Sequence, residues 1–369
     1  MKEIITEHSC KIKVEMPPKD VHAQMEVFYN PVMASNRNIA ILLLNSVDNK
    51  EMNIASPLAG SGIRELRFLK ELKPGKAGNI FVNDIKENFP KVLKENLKLN
   101  GLKKDKLIIH NDDANLFLLN QVKHCIEDLF CGYFDYIDID PFGSPNPFLA
   151  SAVARITREG IIAITATDTA ALTGTYPKVT KRKYWARAVR NYMMHEIGLR
   201  ILIRKVQLQG VQFDKALIPI LAYHKDHYFR IYFRCIKGKE KCDEVLKEHQ
   251  YLLFNPKNLE FKTSEFNREK GFDYFGPLWT GTLFDKKLIA TMSKENPFSE
   301  EQKFLNLLLE ESKLDTVGFY DLHVIAKKYA LETTKLEPVL KKVTGVRTHF
   351  SGTGIKTEKG IKEVVKAMI

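Results

Sequence analysis

Between about Ile54 and Ile236 the chain alternates short apolar runs with stretches of helical period, as expected for a parallel sheet covered by helices on both faces. The pattern predicts seven strands: Asn53 to Ala55, Asn79 to Asn83, Leu107 to His110, Phe134 to Ile139, Gly160 to Thr165, Ala216 to Ala222 and Tyr228 to Cys235. Only His224-Lys225-Asp226-His227 joins the last two, too few residues for a helical crossover, so these strands should pair as an antiparallel hairpin. The alternation stops at Lys237-Gly238-Lys239-Glu240-Lys241, a charged stretch that places a domain boundary near residue 240. The expected domains are therefore 1–240 and 241–369, the second of them α+β. In the latter, Ser299-Glu300-Glu301-Gln302 has capping-box spacing ahead of an amphipathic helix to about Glu311. Helices over Asp321 to Tyr329 and Thr334 to Val343, followed by Arg347-Thr348-His349-Phe350, suit a winged-helix-like nucleic-acid module.

Composition narrows the partners. A chain of 369 residues with 44% hydrophobic content can bury a large core and is long for one domain. Its net charge of +12 favours a polyanionic partner. The N-terminus lacks a long apolar stretch, and Ile39 to Leu44 is too short to cross a bilayer, which points to a cytoplasmic protein. Cys10, Cys125, Cys131, Cys235 and Cys242 form no Cys-x-x-Cys pair, arguing against a disulfide framework and a zinc knuckle.

The chemistry gathers at the predicted strand ends. Pro57-Leu58-Ala59-Gly60-Ser61-Gly62-Ile63-Arg64 follows the first strand, and small residues there let a ligand approach the backbone at a helix N-terminus. Asp84 ends the next strand, where an acid can accept both ribose hydroxyls of a nucleoside. Asn111-Asp112-Asp113-Ala114 follows the third strand and is placed for an adenine amino group, and Asp140-Pro141-Phe142-Gly143 follows the fourth. Each acid alone would also serve as a helix cap. Together they suit S-adenosylmethionine better than a dinucleotide, because it carries no phosphate and its sulfonium and ammonium favour nearby carboxylates. Asp140 can accept a hydrogen bond from the exocyclic amine of a purine, stabilise developing positive charge and take the proton. Pro141 fixes the turn, Phe142 offers a stacking face and Gly143 permits close approach. A mostly parallel sheet with an antiparallel last strand is the Rossmann-like architecture of class I methyltransferases.

Asp140-Pro141-Phe142-Gly143-Ser144-Pro145, with Phe28-Tyr29-Asn30-Pro31-Val32-Met33, Thr165-Ala166-Thr167-Asp168, His195-Glu196-Ile197-Gly198-Leu199-Arg200 and Lys225-Asp226-His227-Tyr228-Phe229-Arg230, resembles the tRNA (guanine-N2)-dimethyltransferase family in its archaeal form. The resemblance implies dimethylation of N2 of guanosine at tRNA position 26 with S-adenosylmethionine as donor. It implies Asp140 as the catalytic carboxylate, Phe142 stacked on the guanine beside Pro141, and a cofactor pocket lined by Arg37, Arg67, Asp84, Asp113 and Ala114. It also implies that the C-terminal domain grips tRNA. Some members carry paired Cys-x-x-Cys zinc ligands that this chain lacks, so no metal is expected; neither is a membrane partner, and a monomer is favoured. The rivals are another class I amino-methyltransferase acting on a different guanosine or adenine, and a non-catalytic RNA-binding protein on the same scaffold.

Overall fold

The structure is a computed structural model that describes residues 2–15, 29–121, 131–188 and 190–369. Phe28 and Cys125 lie outside the described residues. An antiparallel hairpin, β1 (Lys2–Glu7) and β2 (Cys10–Glu15), opens the chain, and α1 (Ala34–Ser46) follows. The apolar run Ile39 to Leu44 lies in α1, exposed by 1% or less, so its hydrophobicity is that of a core helix.

The sheet elements then come in strict alternation. They are β3 (Met52–Ser56), α2 (Ile63–Glu71), β4 (Ala77–Asn83), α3 (Phe89–Leu99), β5 (Leu107–His110), α4 (Ala114–Asn120), β6 (Phe134–Ile139), α5 (Leu149–Arg155) and β7 (Ile156–Ala166). After α6 (Thr169–Leu172), α7 (Pro177–Tyr184) and α8 (Met194–Gly210) come β8 (Lys215–Lys225) and β9 (Tyr228–Lys237). All seven expected strands are present, in the order β5-β4-β3-β6-β7-β9-β8. Pairing is parallel between β3 and β4, β4 and β5, β3 and β6, and β6 and β7.

The winding direction reverses between β3 and β6, and at such a switch point the helices diverge and leave a crevice at the carboxyl ends of the strands. The strand expected from Gly160 begins earlier, at Ile156. Its pairing with β6 slips between Phe134 and Tyr136, and the polar residues Thr157, Arg158 and Glu159 at that irregularity hide the strand from a periodicity argument.

Two compact units emerge from the packing. One comprises Met1–Ala166, Tyr232–Lys237 and Glu295–Glu301; the other Thr167–Ile231, Gly238–Lys294 and Gln302–Ile369. The second contains α9 (Lys239–Lys247) and the antiparallel strands β10 (His249–Phe254), β11 (Phe261–Ser264) and β12 (Asp273–Trp279). After α10 (Lys286–Lys294) come α11 (Gln302–Glu311), β13 (Tyr320–Asp321), α12 (Leu322–Tyr329), α13 (Leu336–Val343), β14 (Val346–Arg347), β15 (Gly354–Lys356) and α14 (Ile361–Met368). From α11 to β15 the element order, with the small sheet β13-β15-β14, is that of a winged-helix module. Ser299 to Glu301 form a tight turn ahead of α11.

The core of this second unit is organised around Glu196 on α8. Its Oε1 accepts from Lys356 Nζ at 2.8 Å, Arg200 Nε at 2.9 Å and Gly318 N at 3.0 Å. Burial raises the cost of that charge, but Lys356 and Arg200 outweigh it and hold the carboxyl at about 2.

Candidate active site at the carboxyl edge of the sheet

Three loops leave the ends of β3, β4 and β5, and one buried amide joins them. Asn83 Nδ2 donates to Pro57 O at 3.0 Å and Asp112 O at 2.9 Å, while its Oδ1 accepts from Asp112 N at 2.9 Å. Asn83 is fully buried, so these bonds are shielded from competition with water. Asp84 is also buried: its Oδ2 accepts from Gly60 N at 2.8 Å and Oδ1 from Lys86 N at 3.1 Å. The acid and the small-residue turn are thereby one structural unit. Gly62 ends that turn at φ +75°, a conformation strained for any other residue, and a Cβ there would lie 2.5 Å from Leu93 Cδ1, which would have to shift. Asp113 caps α4, its Oδ1 accepting from Asn115 N at 2.9 Å and Leu116 N at 3.2 Å, and Ala114 is the buried first residue of that helix.

Asp140 follows β6 directly, and Arg64 of α2 binds its Oδ2. The same guanidinium reaches Asp138 Oδ2 at 3.3 Å and Asn36 Oδ1 at 3.0 Å; Asn36 Nδ2 in turn donates to Thr165 Oγ1 of β7 at 3.4 Å. Arg64 thus fixes the Asp140 carboxylate to the sheet and to α1, a role that its position in the glycine turn gave no reason to expect. Pro141 is buried beneath the turn, whereas the Phe142 ring is 63% exposed. Gly143 sits at φ +100° with open space where a side chain would stand.

Arg37 and Arg67 come together around a residue not singled out from the sequence, Glu7 of β1. Arg37 Nε donates to Glu7 Oε1 at 2.7 Å, Arg67 Nη1 to Oε1 at 2.9 Å, and Tyr29 OH to Oε2 at 3.0 Å. Arg67 also binds Glu71 through Nε and Nη2 and is completely buried. Burial would push the Glu7 carboxyl up, but Arg37 and then Arg67 outweigh it and hold the group at about 2. Nothing in the local pattern of β1 marks this partner; only the packing of the hairpin against α1 and α2 brings it there.

A second carboxyl was also illegible in sequence. Glu65 on α2 is buried with Oε2 lacking a hydrogen-bond partner among the described residues, and burial pushes it up to about 7.

The donor set fits S-adenosylmethionine. Each Asp84 oxygen spends one lone pair on a backbone N–H and keeps another for a ribose hydroxyl. The crevice offers carboxylates to a cationic donor, and the glycine turn allows close backbone approach. Among the described residues no group of three or more His, Cys, Asp or Glu side chains is placed to hold a metal ion, and no helix is long and apolar enough to cross a membrane.

Strand order, switch-point crevice and acidic strand ends define a class I methyltransferase. Residues 8–369 match the N2,N2-dimethylguanosine tRNA methyltransferase family, and the chain belongs to it. It is 40% identical to the tRNA (guanine(26)-N(2)/guanine(27)-N(2))-dimethyltransferase of Aquifex aeolicus, over 99% of this chain and 95% of that one. It is 36% identical to the tRNA (guanine(26)-N(2))-dimethyltransferase of Pyrococcus furiosus, over 99% and 98%. The structure of Trm1 from Pyrococcus horikoshii in complex with S-adenosyl-L-methionine superposes with a TM-score of 0.87 at 33% identity, covering 99% of each chain.

Glu7→Gln leaves two buried guanidiniums short of a countercharge and should lower stability by about 3 kcal/mol in urea unfolding at pH 7; a loss under about 1 kcal/mol would show the network to be dispensable. Glu65 works in the opposite direction. Its folded value of about 7 lies above the ordinary glutamate value of 4.5, so folding takes up a proton between them and stability falls as pH rises through that window. Glu65→Gln should therefore gain on the wild type by roughly 2 kcal/mol between pH 5 and pH 8. A stability difference that does not change with pH would contradict this.

Proposed function

We propose that this chain dimethylates N2 of guanosine at position 26 of tRNA, using S-adenosylmethionine. The observation that carries the proposal is the Asp140 carboxylate, held at the end of β6 by Arg64 with the exposed Phe142 ring two residues away. Family membership and the activities of its relatives support the substrate.

S-adenosylmethionine, when bound, supplies an electrophilic methyl on its sulfonium. Asp84, Asp113, Ala114 and the Gly60 to Gly62 turn hold it, while Arg37 and Arg67 shape the pocket by fixing α1 and α2 to β1. The guanine amine is a poor nucleophile because its lone pair is delocalised into the ring. Asp140 Oδ1 accepts a hydrogen bond from that amine, which orients the nitrogen and localises the pair. Transfer breaks the sulfonium–methyl bond and leaves the neutral thioether S-adenosylhomocysteine; the methylated nitrogen, now cationic, passes a proton to the same carboxylate, which returns it to water, and the second methylation repeats the sequence with a fresh donor molecule. Arg64 keeps the other oxygen engaged, so the carboxylate does not rotate away between rounds. Phe142 stacks on the base, which must leave its helix because N2 otherwise lies in a groove.

Residues 241–369 grip the tRNA, the protein works in the cytoplasm as a monomer, and position 27 of the same tRNA is a second target favoured by the Aquifex relative. Incubating unmodified tRNA transcripts with labelled donor and mapping the mark by mass spectrometry tests all of these targets; label elsewhere or none overturns the proposal. Asp140→Ala should slow single-turnover methylation by at least about 100-fold with tRNA affinity within a few-fold. An undiminished rate would remove Asp140 from the chemistry. Phe142→Ala should cost about 1 to 3 kcal/mol of transition-state binding in kcat/KM, and an unchanged value would rule out stacking.

A further inference from the structure

Between Thr169 and His195 the chain carries Lys178, Lys181, Arg182, Lys183, Arg187 and Arg190 and not one Asp or Glu. Most of these cations lie on or just beyond α7, whose packing decides where they point. Thr180 and Tyr184, one turn apart, are both fully buried. Thr180 Oγ1 donates to Ala171 O, and Tyr184 OH donates to the Asp168 carboxylate at 2.7 Å. With that face anchored, Lys178, Lys181, Arg182 and Lys183 are left exposed.

A solvated helix face normally mixes charges of both signs. Helix α9 does so: Lys241 pairs with Glu244 at 2.7 Å, and Glu240 and Asp243 share its surface. On α7, by contrast, Lys178, Lys181 and Arg182 have no acidic partner among the described residues, and Lys183 reaches Asp168 at 3.5 Å. Like charges left this close repel each other, so the arrangement lowers its energy when an anion is present.

Two aromatic rings flank the cations. Tyr176 is 59% exposed at the start of the helix, and Trp185 is 51% exposed just after its end. Trp185 occupies a left-handed position at φ +54°, where a glycine would be less strained, and Lys205 Nζ lies 3.1 Å from its ring centre. The positive surface continues past the helix. Arg187 lies over the Tyr274 ring at 4.5 Å and, with Arg268 and Lys270, lines an open pocket of about 430 Å³. Of the two acids in that pocket, Glu269 is bound by Lys262 at 2.5 Å, and Asp273 is the other.

We propose that α7, with the exposed Arg187 and Arg190 beyond it, forms a phosphate-binding surface for the backbone of the substrate RNA that lies outside residues 241–369, to which the grip is assigned. Exposed cations without acids recognise a chain of phosphodiesters, and rings among them stack on unpaired bases. The partner follows from the proposed activity on tRNA, on which this inference rests.

The test uses the full chain with Lys178, Lys181 and Arg182 all changed to Gln, binding a fluorescent tRNA transcript over a series of KCl concentrations. A control with equal loss of charge changes Lys91, Lys94 and Lys98 on α3, which are also exposed. The α7 variant should bind tRNA about tenfold more weakly, with the slope of log K against log salt reduced in magnitude by roughly 2 to 3. The α3 variant should stay within about twofold of the wild type, and Lys178→Arg with Lys181→Arg should retain full affinity. Wild-type binding by the α7 variant, or an equal loss in both variants, overturns the proposal. Binding is scored without turnover, so a wild-type chain that binds tRNA but leaves it unmethylated would defeat the proposed activity and not this surface.

Discussion

Parallel pairing at the centre of the sheet is the constraint on which the site depends. Strands β3, β4, β5, β6 and β7 run the same way, so their carboxyl ends meet along one edge, and Asp84, Asp113 and Asp140 each follow a strand that ends there. Acids spread over nearly sixty residues of sequence are brought to one edge of the sheet by its parallel pairing. The reversal of winding between β3 and β6 opens the crevice at that edge. Asn83 then removes the remaining slack, because its single amide binds the loops after β3 and β5.

Buried charge secures the surroundings, and each unit has its own centre. In the first, Glu7 binds Arg37 and Arg67; in the second, Glu196 binds Arg200 and Lys356. Such groups contribute little net stability relative to a well-packed apolar replacement, but once buried they tolerate only the arrangement that pairs every charge. Arg64 applies the same logic at the site itself. It meets two carboxylates and Asn36, and so gives the Asp140 carboxylate a defined orientation at the end of β6.

Glu65 stands apart from these paired charges. Its burial raises the carboxyl instead of being outweighed by cations, a cost carried by the fold, and nothing in the proposed chemistry uses it.

The amino-acid sequence alone determined the seven strands, the antiparallel ending, three of the helices near the C-terminus and the acids at the strand ends. All of these follow from local periodicity and turn length, which a linear chain displays directly. The early start of β7 at Ile156 escaped because its irregular pairing with β6 interrupts the apolar pattern. Only the tertiary structure decided that Arg37 and Arg67 face Glu7, that Arg64 holds Asp140, and that the cations of α7 point outward. Each depends on which distant segment covers a given face, and the free energy of a buried charge is set by partners far away in sequence.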